Sequence, residues 1–222
     1  MPDAAGDTPT AEAAPRPPIP DDGVVHDVLV VGGGPSGSAC AYWLADAGWD
    51  VVVVEKKHFP RDKTCGDGLT PRSVRQLADM GLEGALTGAH RFDGLRSCAY
   101  GMSMDLRWPD HPSFPSHGYV ITRHDLDQIV SERAVKAGAV VWEGAEAVTP
   151  LLADTWIPAD TSLPADAPVA APGAAARSGA GSAGSGPATG SGGLPACVGA
   201  VVRDLDHGGT VELRARYVVV CD

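Results

Sequence analysis

No apolar run in this sequence approaches the ~20 residues that a membrane-crossing helix requires, so no segment reads as a span. The first residues lack the basic start and apolar core of a signal peptide. Basic residues are scarce as well: 17 Lys and Arg stand against 28 Asp and Glu, a net charge of −11. A general nucleic-acid binder needs a basic face for phosphates, and that class is excluded. The surplus acid lies in the N-terminal tail and at scattered positions, where it serves solubility. The cysteines Cys40, Cys65, Cys98, Cys197 and Cys221 show neither C-x-x-C spacing nor an even count, the pattern of a reduced, cytoplasmic protein. Histidines occur without H-x-x-x-H spacing or a Cys/His cluster, so no metal site is expected. "GDG" at 66–68 is too short for a calcium loop.

Two tracts lack any apolar period. Residues 1–25, "MPDAAGDTPTAEAAPRPPIPDDGVV", are rich in Pro, Ala and acids and are expected to form a disordered tail. Residues 155–196 grade from a Pro/Ala stretch into Gly/Ser/Ala and are expected to form a disordered insertion. What is left, 26–154 and 197–222, suffices for about one domain.

That domain opens with "HDVLVV", a β-branched run suited to a strand buried on both faces. "SGSACAYWLADA" follows as a helix with Ala41, Leu44 and Ala45 inward, stopped by Gly48. "DVVVVEKK" is a second buried strand ending at Glu55. Strand, helix and strand in about thirty residues form a right-handed parallel βαβ unit, so the fold class is α/β with a Rossmann-like sheet.

The turn between the first strand and the helix is "GGGPSG", residues 32–37. A lone GxGxxG is weak, but here Gly32, Gly34 and Gly37 follow a strand, open a helix and precede an acid at the end of the next strand. Gly32 permits the tight exit, Gly34 lets a pyrophosphate approach the backbone, and Gly37 lets the helix pack close to the sheet. Pro35 and Ser36 open the helix, whose free N–H groups and dipole favour a doubly charged bridge. Glu55 is suited to accept from the hydroxyls of an adenosine ribose. A ligand-free tight turn is the alternative. The loop itself does not separate FAD from NAD. Glu55 disfavours the 2′-phosphate of NADP, an argument softened by Lys56 and Lys57.

Further along, Thr70 caps a helix over "PRSVRQLADM" that Gly81 ends. Residues 92–108 suggest two strands turning near Gly101, and "GYVIT" another. "RHDLDQIVSERAVKAG" is a helix with Leu126, Ile129, Val130 and Val135 on one stripe and Gly138 closing it. "AVVWEGAEAVTPL" reads as a strand and its continuation. The last segment reads as two strands joined at Asp206–Gly209, then a buried strand Tyr217–Val220.

The segments "DVLVVGGGPSGSACAYWLADAGWDVVVVEK", "KTCGDGLTPRSVRQL" and "ITRHDLDQIVSERAVKAGA" resemble the geranylgeranyl reductase family of flavoproteins, and within it the branch that reduces prenyl chains such as that of menaquinone. The likeness covers about Asp27 to Leu152. It implies the two-domain aromatic-hydroxylase-type fold, non-covalent FAD, and an isoprenoid double bond as substrate. By the same likeness Arg123 lies near the FAD phosphates and Arg72 is a similar candidate, since a guanidinium offers phosphate two parallel donors. For Arg123 the alternative is a surface residue beside Asp125 and Asp127. Cys65, Gly66 and Gly68 match the family's loop near flavin and substrate, where Cys65 is a contact to ring or substrate or else a small residue packed in a turn. The electron donor, NADPH or a ferredoxin-like protein, stays open, and no catalytic acid or base is assigned.

Family members continue past a strand like "RYVVVCD" into a second phosphate-side motif and a substrate domain. The chain is therefore expected to be the N-terminal part of such an enzyme, to bind FAD weakly or not at all by itself, to show no turnover, and to expose apolar faces. A flavin monooxygenase or halogenase of the same fold and a non-catalytic fragment are the alternatives. A lipid substrate implies contact with a membrane surface, although no amphipathic basic helix for docking is present.

Overall fold

Four consecutive valines, Val51 to Val54, are each at most 1 % exposed and form a strand buried on both faces within a mixed sheet. The computed structural model describes residues 16–153 and 196–221. Most of the expected tail and nearly all of the expected insertion lie outside those residues.

In chain order the elements are β1 (Val25–Val31), α1 (Pro35–Asp46), β2 (Val51–Glu55), β3 (Gly68–Leu69), α2 (Pro71–Asp79), β4 (His90–Phe92), β5 (Gly94–Ala99), β6 (Met102–Arg107), β7 (Gly118–Val120), α3 (Arg123–Ala137), β8 (Val140–Glu143), β9 (Ala145–Ala153), β10 (Ala196–Asp204) and β11 (Thr210–Val220). The main sheet runs β8-β2-β1-β11-β10-β9. β8, β2, β1 and β11 are parallel, and β10 and β9 continue the sheet antiparallel. α1 and α3 pack on one face, where Ala41, Ala45 and Ala134 allow close approach. The other face is closed by a second cluster that includes Leu29, Val52, Val202 and Leu213. A small sheet, β3-β7-β4, and a two-stranded hairpin, β5-β6, complete the described residues.

The βαβ unit, the Thr70 cap, the Gly138 stop and the hairpin turn at Tyr100–Gly101 match the sequence reading. Four details differ. β11 is one eleven-residue strand, pairing first with β10 and then with β1, because no glycine or proline interrupts 210–220. Its end is not buried: Tyr217 is 46 % and Val220 72 % exposed. In α3 the inward residues are Leu126, Val130 and Ala134 with Asp127 and Ser131, while Val135 faces outward. That stripe followed residue size, whereas the contact with α1 selects small residues. In α1, Tyr42 is buried in place of Leu44, its hydroxyl accepting from Arg133 Nη2 at 3.2 Å. Finally, residues 16–24 of the expected tail lie on the sheet. Ile19 is 5 % exposed within the second cluster, and Arg16 donates to Asp204 at 2.7 Å.

Candidate functional site: a cationic cleft at the end of the parallel strands

The parallel strands β1 and β2 end side by side, at Val31 and Glu55, and the glycine loop leaves the sheet there. Gly32 has φ +99°, a conformation that a side chain disfavours. A β-carbon at Gly37 would collide with the Gly32 carbonyl oxygen, so only glycine lets α1 start this close to the strand. Gly34 is the N-cap of α1. No side chain caps the helix and its first turn holds no acid, so its amide donors are open to an external anion. Ser38, fully buried, donates its hydroxyl to the Gly33 carbonyl at 2.8 Å and fixes the loop from behind.

Glu55 is 6 % exposed and already engaged. Its Oε2 accepts the Gly33 N–H at 2.9 Å and its Oε1 the Lys57 N–H at 2.9 Å. Arg61 Nη2 stands 3.5 Å from Oε2. Each carboxylate oxygen keeps a further lone pair for a ligand hydroxyl. Glu55 therefore shapes the loop as well as facing the site, a role that its position in the sequence did not disclose.

Two cavities meet at Gly32 and Glu55. The larger, about 360 Å³, is lined by Gly32, Gly34, Pro35, Ser36, Glu55, Arg61, Lys63, Arg123 and Cys221. The smaller, about 90 Å³, lies between the strand ends and the start of β9, with Val31, Val54, Ala145 and Ala147 as apolar walls and Lys56 at its edge. The larger cavity carries three cationic side chains and suits phosphate; the smaller sets its apolar walls against Glu55, Lys56 and Glu146.

The cations of the larger cleft are held by buried acid. Asp127, 0 % exposed, takes Arg123 Nη2 at 2.9 Å and lies 3.2 Å from Arg61 Nη2. The hydrogen bond to Asp127 is the main cause that raises the Arg123 pKa above its ordinary value, with a smaller contribution from the Cys65 thiol. Arg123, the first residue of α3, thus lines this cleft with its side chain largely buried. Arg61 leans on the Phe59 ring, its guanidinium carbon 5.6 Å from the centroid. Its buried Nε has no hydrogen-bond partner among the described residues. An unpaired guanidinium N–H costs free energy unless a ligand accepts it, and an anionic bridge in the cleft supplies that acceptor. The residues present therefore fit a nucleotide diphosphate.

The structure does not gather every expected residue here. Cys65, Gly66, Gly68 and Arg72 line neither cavity. Arg72 is exposed on α2, and a β-carbon at Gly66 would meet nothing within 4 Å among the described residues. Asp67 ties this loop to the site: at φ +51° it accepts the Arg123 N–H at 3.3 Å through Oδ1 and the Ile121 N–H at 2.9 Å through its carbonyl. Sequence reasoning missed Arg61, Lys63, Asp127 and Ser38. The first two carried a signal, two basic residues in the irregular stretch directly after β2.

The sequence family described as FAD binding domain matches residues 25–157, more than half of the chain. The chain belongs to that family. FAD is accordingly the cofactor. Among curated relatives, menaquinone reductase of Mycobacterium tuberculosis is 48% identical over 122 residues, which is 55% of this chain and 30% of that protein. Digeranylgeranylglycerophospholipid reductase 1 of Methanopyrus kandleri is 33% identical over 127 residues, 57% of this chain and 32% of that protein. The chain thus spans about a third of the length of these relatives. Among solved structures, the myxobacterial chondrochloren halogenase, described as a FAD-dependent halogenase, superposes with a TM-score of 0.65 at 22% identity, over 89% of this chain and 37% of that one. A geranylgeranyl bacteriochlorophyll reductase-like protein of Thermoplasma acidophilum gives 0.59 at 22% identity, over 89% and 39%. Those two likenesses show a shared fold.

Proposed function

We propose that this chain is the adenosine-diphosphate-binding part of an FAD-dependent oxidoreductase that saturates isoprenoid double bonds, with the prenyl chain of a menaquinone as the favoured substrate. The observation that carries the nucleotide half of this reading is the cleft itself, in which Arg61, Lys63, Arg123 and the open start of α1 face one space beside Glu55. In it the pyrophosphate rests on the α1 amides and the two guanidinium groups, the ribose hydroxyls reach Glu55, and the adenine enters the smaller cavity between Val31, Val54, Ala145 and Ala147. The substrate half is supported by the 48% identity to a protein named menaquinone reductase. The halogenases share only fold-level likeness and favour the monooxygenase or halogenase alternative less.

Bound FAD would supply hydride chemistry to the alkene. The chain's own residues bind and orient. Asp127 keeps Arg61 and Arg123 fixed for phosphate, Ser38 and Glu55 fix the loop amides, and the apolar walls exclude water from the ring. Cys65, Gly66, Gly68 and Arg72 belong to a loop and helix edge that borders this region through Asp67 and are proposed to meet the cofactor beyond the phosphates. NADPH or another donor provides the electrons, and contact with a membrane surface follows from a lipid substrate.

A chimera tests the substrate reading: residues 25–221 replace the matching segment of the M. tuberculosis relative. Incubation with menaquinone and reductant should add two hydrogens to the prenyl chain by mass spectrometry. A folded, flavin-loaded chimera that leaves the prenyl chain unreduced would contradict it.

A further inference from the structure

Two cysteines lie near the place where the chain leaves β11 against α1. The Cys221 N–H donates to the Val31 carbonyl at 2.8 Å, and the Cys221 carbonyl accepts from the Ser36 hydroxyl at 3.4 Å. The Cys221 β-carbon stands 3.2 Å from where a β-carbon at Gly37 would lie. Cys40 is one helical turn beyond both contacts, four residues after Ser36 and three after Gly37. Side chains at those spacings share one helix face with β-carbons ~5–6 Å apart, so Cys40 lies on the face of α1 that Cys221 abuts. Burial, and less so the charge of Cys221, push the Cys40 thiol upward. Both residues are partly accessible, and Cys221 also lines the cationic cleft. A disulfide holds its β-carbons ~3.5–4.5 Å apart.

We infer that Cys40 and Cys221 are a reversible thiol–disulfide pair that couples oxidation by a hydroperoxide to the wall of the anion cleft. Cys221, which faces the cleft, attacks the peroxide first. Its sulfur forms an S–O bond as the O–O bond breaks, giving sulfenic acid and one water. The Cys40 sulfur then displaces the hydroxyl, which leaves with the Cys40 proton as a second water. The two thiols together lose two electrons, and one hydrogen peroxide becomes two waters. The resulting bond ties the residue that follows β11 to α1 behind the glycine loop. The inference concerns the chain's own sulfurs and does not depend on which nucleotide binds.

The test treats the full chain with hydrogen peroxide, then blocks free thiols, digests and maps peptides by mass spectrometry. The expected product is a peptide pair linked through Cys40 and Cys221, with the loss of two thiols per chain in a Cys65→Ser, Cys98→Ser, Cys197→Ser background and full recovery with dithiothreitol. In Cys40→Ser, Cys221 should instead be trapped as the sulfenic acid by dimedone. Free Cys40 beside Cys221 sulfinic acid in the otherwise unaltered chain, or Cys221 linked to Cys65 instead, would overturn it.

Discussion

Glu55 holds the glycine loop before any ligand arrives, since the Gly33 and Lys57 amides both end on its carboxylate. A hydrogen bond to a charged group contributes about 1.5–3 kcal/mol. Glu55→Gln keeps one acceptor and turns an NH2 toward an N–H donor, so both stability and binding should fall. We expect ADP affinity to drop at least about tenfold by calorimetric titration, with a lower melting temperature even without nucleotide. Unchanged stability with lost affinity would remove the loop-holding role. Arg61 presents a second residue-scale case. Arg61→Ala should weaken ADP, whose phosphates pair the orphaned Nε, by about tenfold, while adenosine, lacking phosphates, binds as before. Equal losses for both ligands would place Arg61 elsewhere in the recognition.

At the scale of elements, the N-terminal strap lies on the sheet because one carboxylate collects its contacts. Burial would raise the Asp204 pKa, yet the His207 N–H, the Arg16 guanidinium and the Ile19 and Asp206 amides together hold it far below the ordinary carboxylate value. Around it stand His207, Asp206, His58 and Glu143. A carboxylate whose folded pKa is depressed contributes stability that is whole above its unfolded pKa of about 3.9 and lost as pH falls toward the folded value. Asp204→Asn should therefore lower the melting temperature at pH 7 and by a smaller margin at pH 3. A gap that stays constant with pH would show that the charge of Asp204 does not secure the strap. This element was not legible in the sequence, because "PPIPDD" has no period and a single Ile19 carries the contact. By contrast the βαβ unit was plain, since strand, glycine turn, small-residue helix and valine strand all agree locally. The α3 stripe misled for a definite reason. Val135 is larger than Ala134, but it lies about 100° away around the helix, and α1 accepts only a small residue.

At the scale of the whole molecule, the described residues form a nucleotide-binding half with an uncovered apolar hairpin. Leu95 pairs with Leu106 and Ala99 with Met102 on one face of β5-β6, while Arg96 and Asp105 occupy the other. Met102 is 71 % and Met104 59 % exposed, in line with the expectation of exposed apolar faces. Met104→Lys should reduce self-association in sedimentation measurements without lowering the melting temperature, and a large loss of stability would mean that this face is packed. At this scale the sequence displayed the nucleotide end, whose motif is local. It did not display Arg61 joining Arg123 on Asp127, a contact that spans more than sixty residues, although Arg123 and Asp127 are neighbours four apart on α3. The central claim is that the bridging phosphates of FAD rest on the start of α1 between those arginines, with the ribose at Glu55. A crystal structure of the chain with ADP tests it most directly. The account predicts pyrophosphate oxygens within hydrogen-bond distance of the α1 amides, Arg61 and Arg123; ADP ordered at any other surface, with that cleft free, would contradict it.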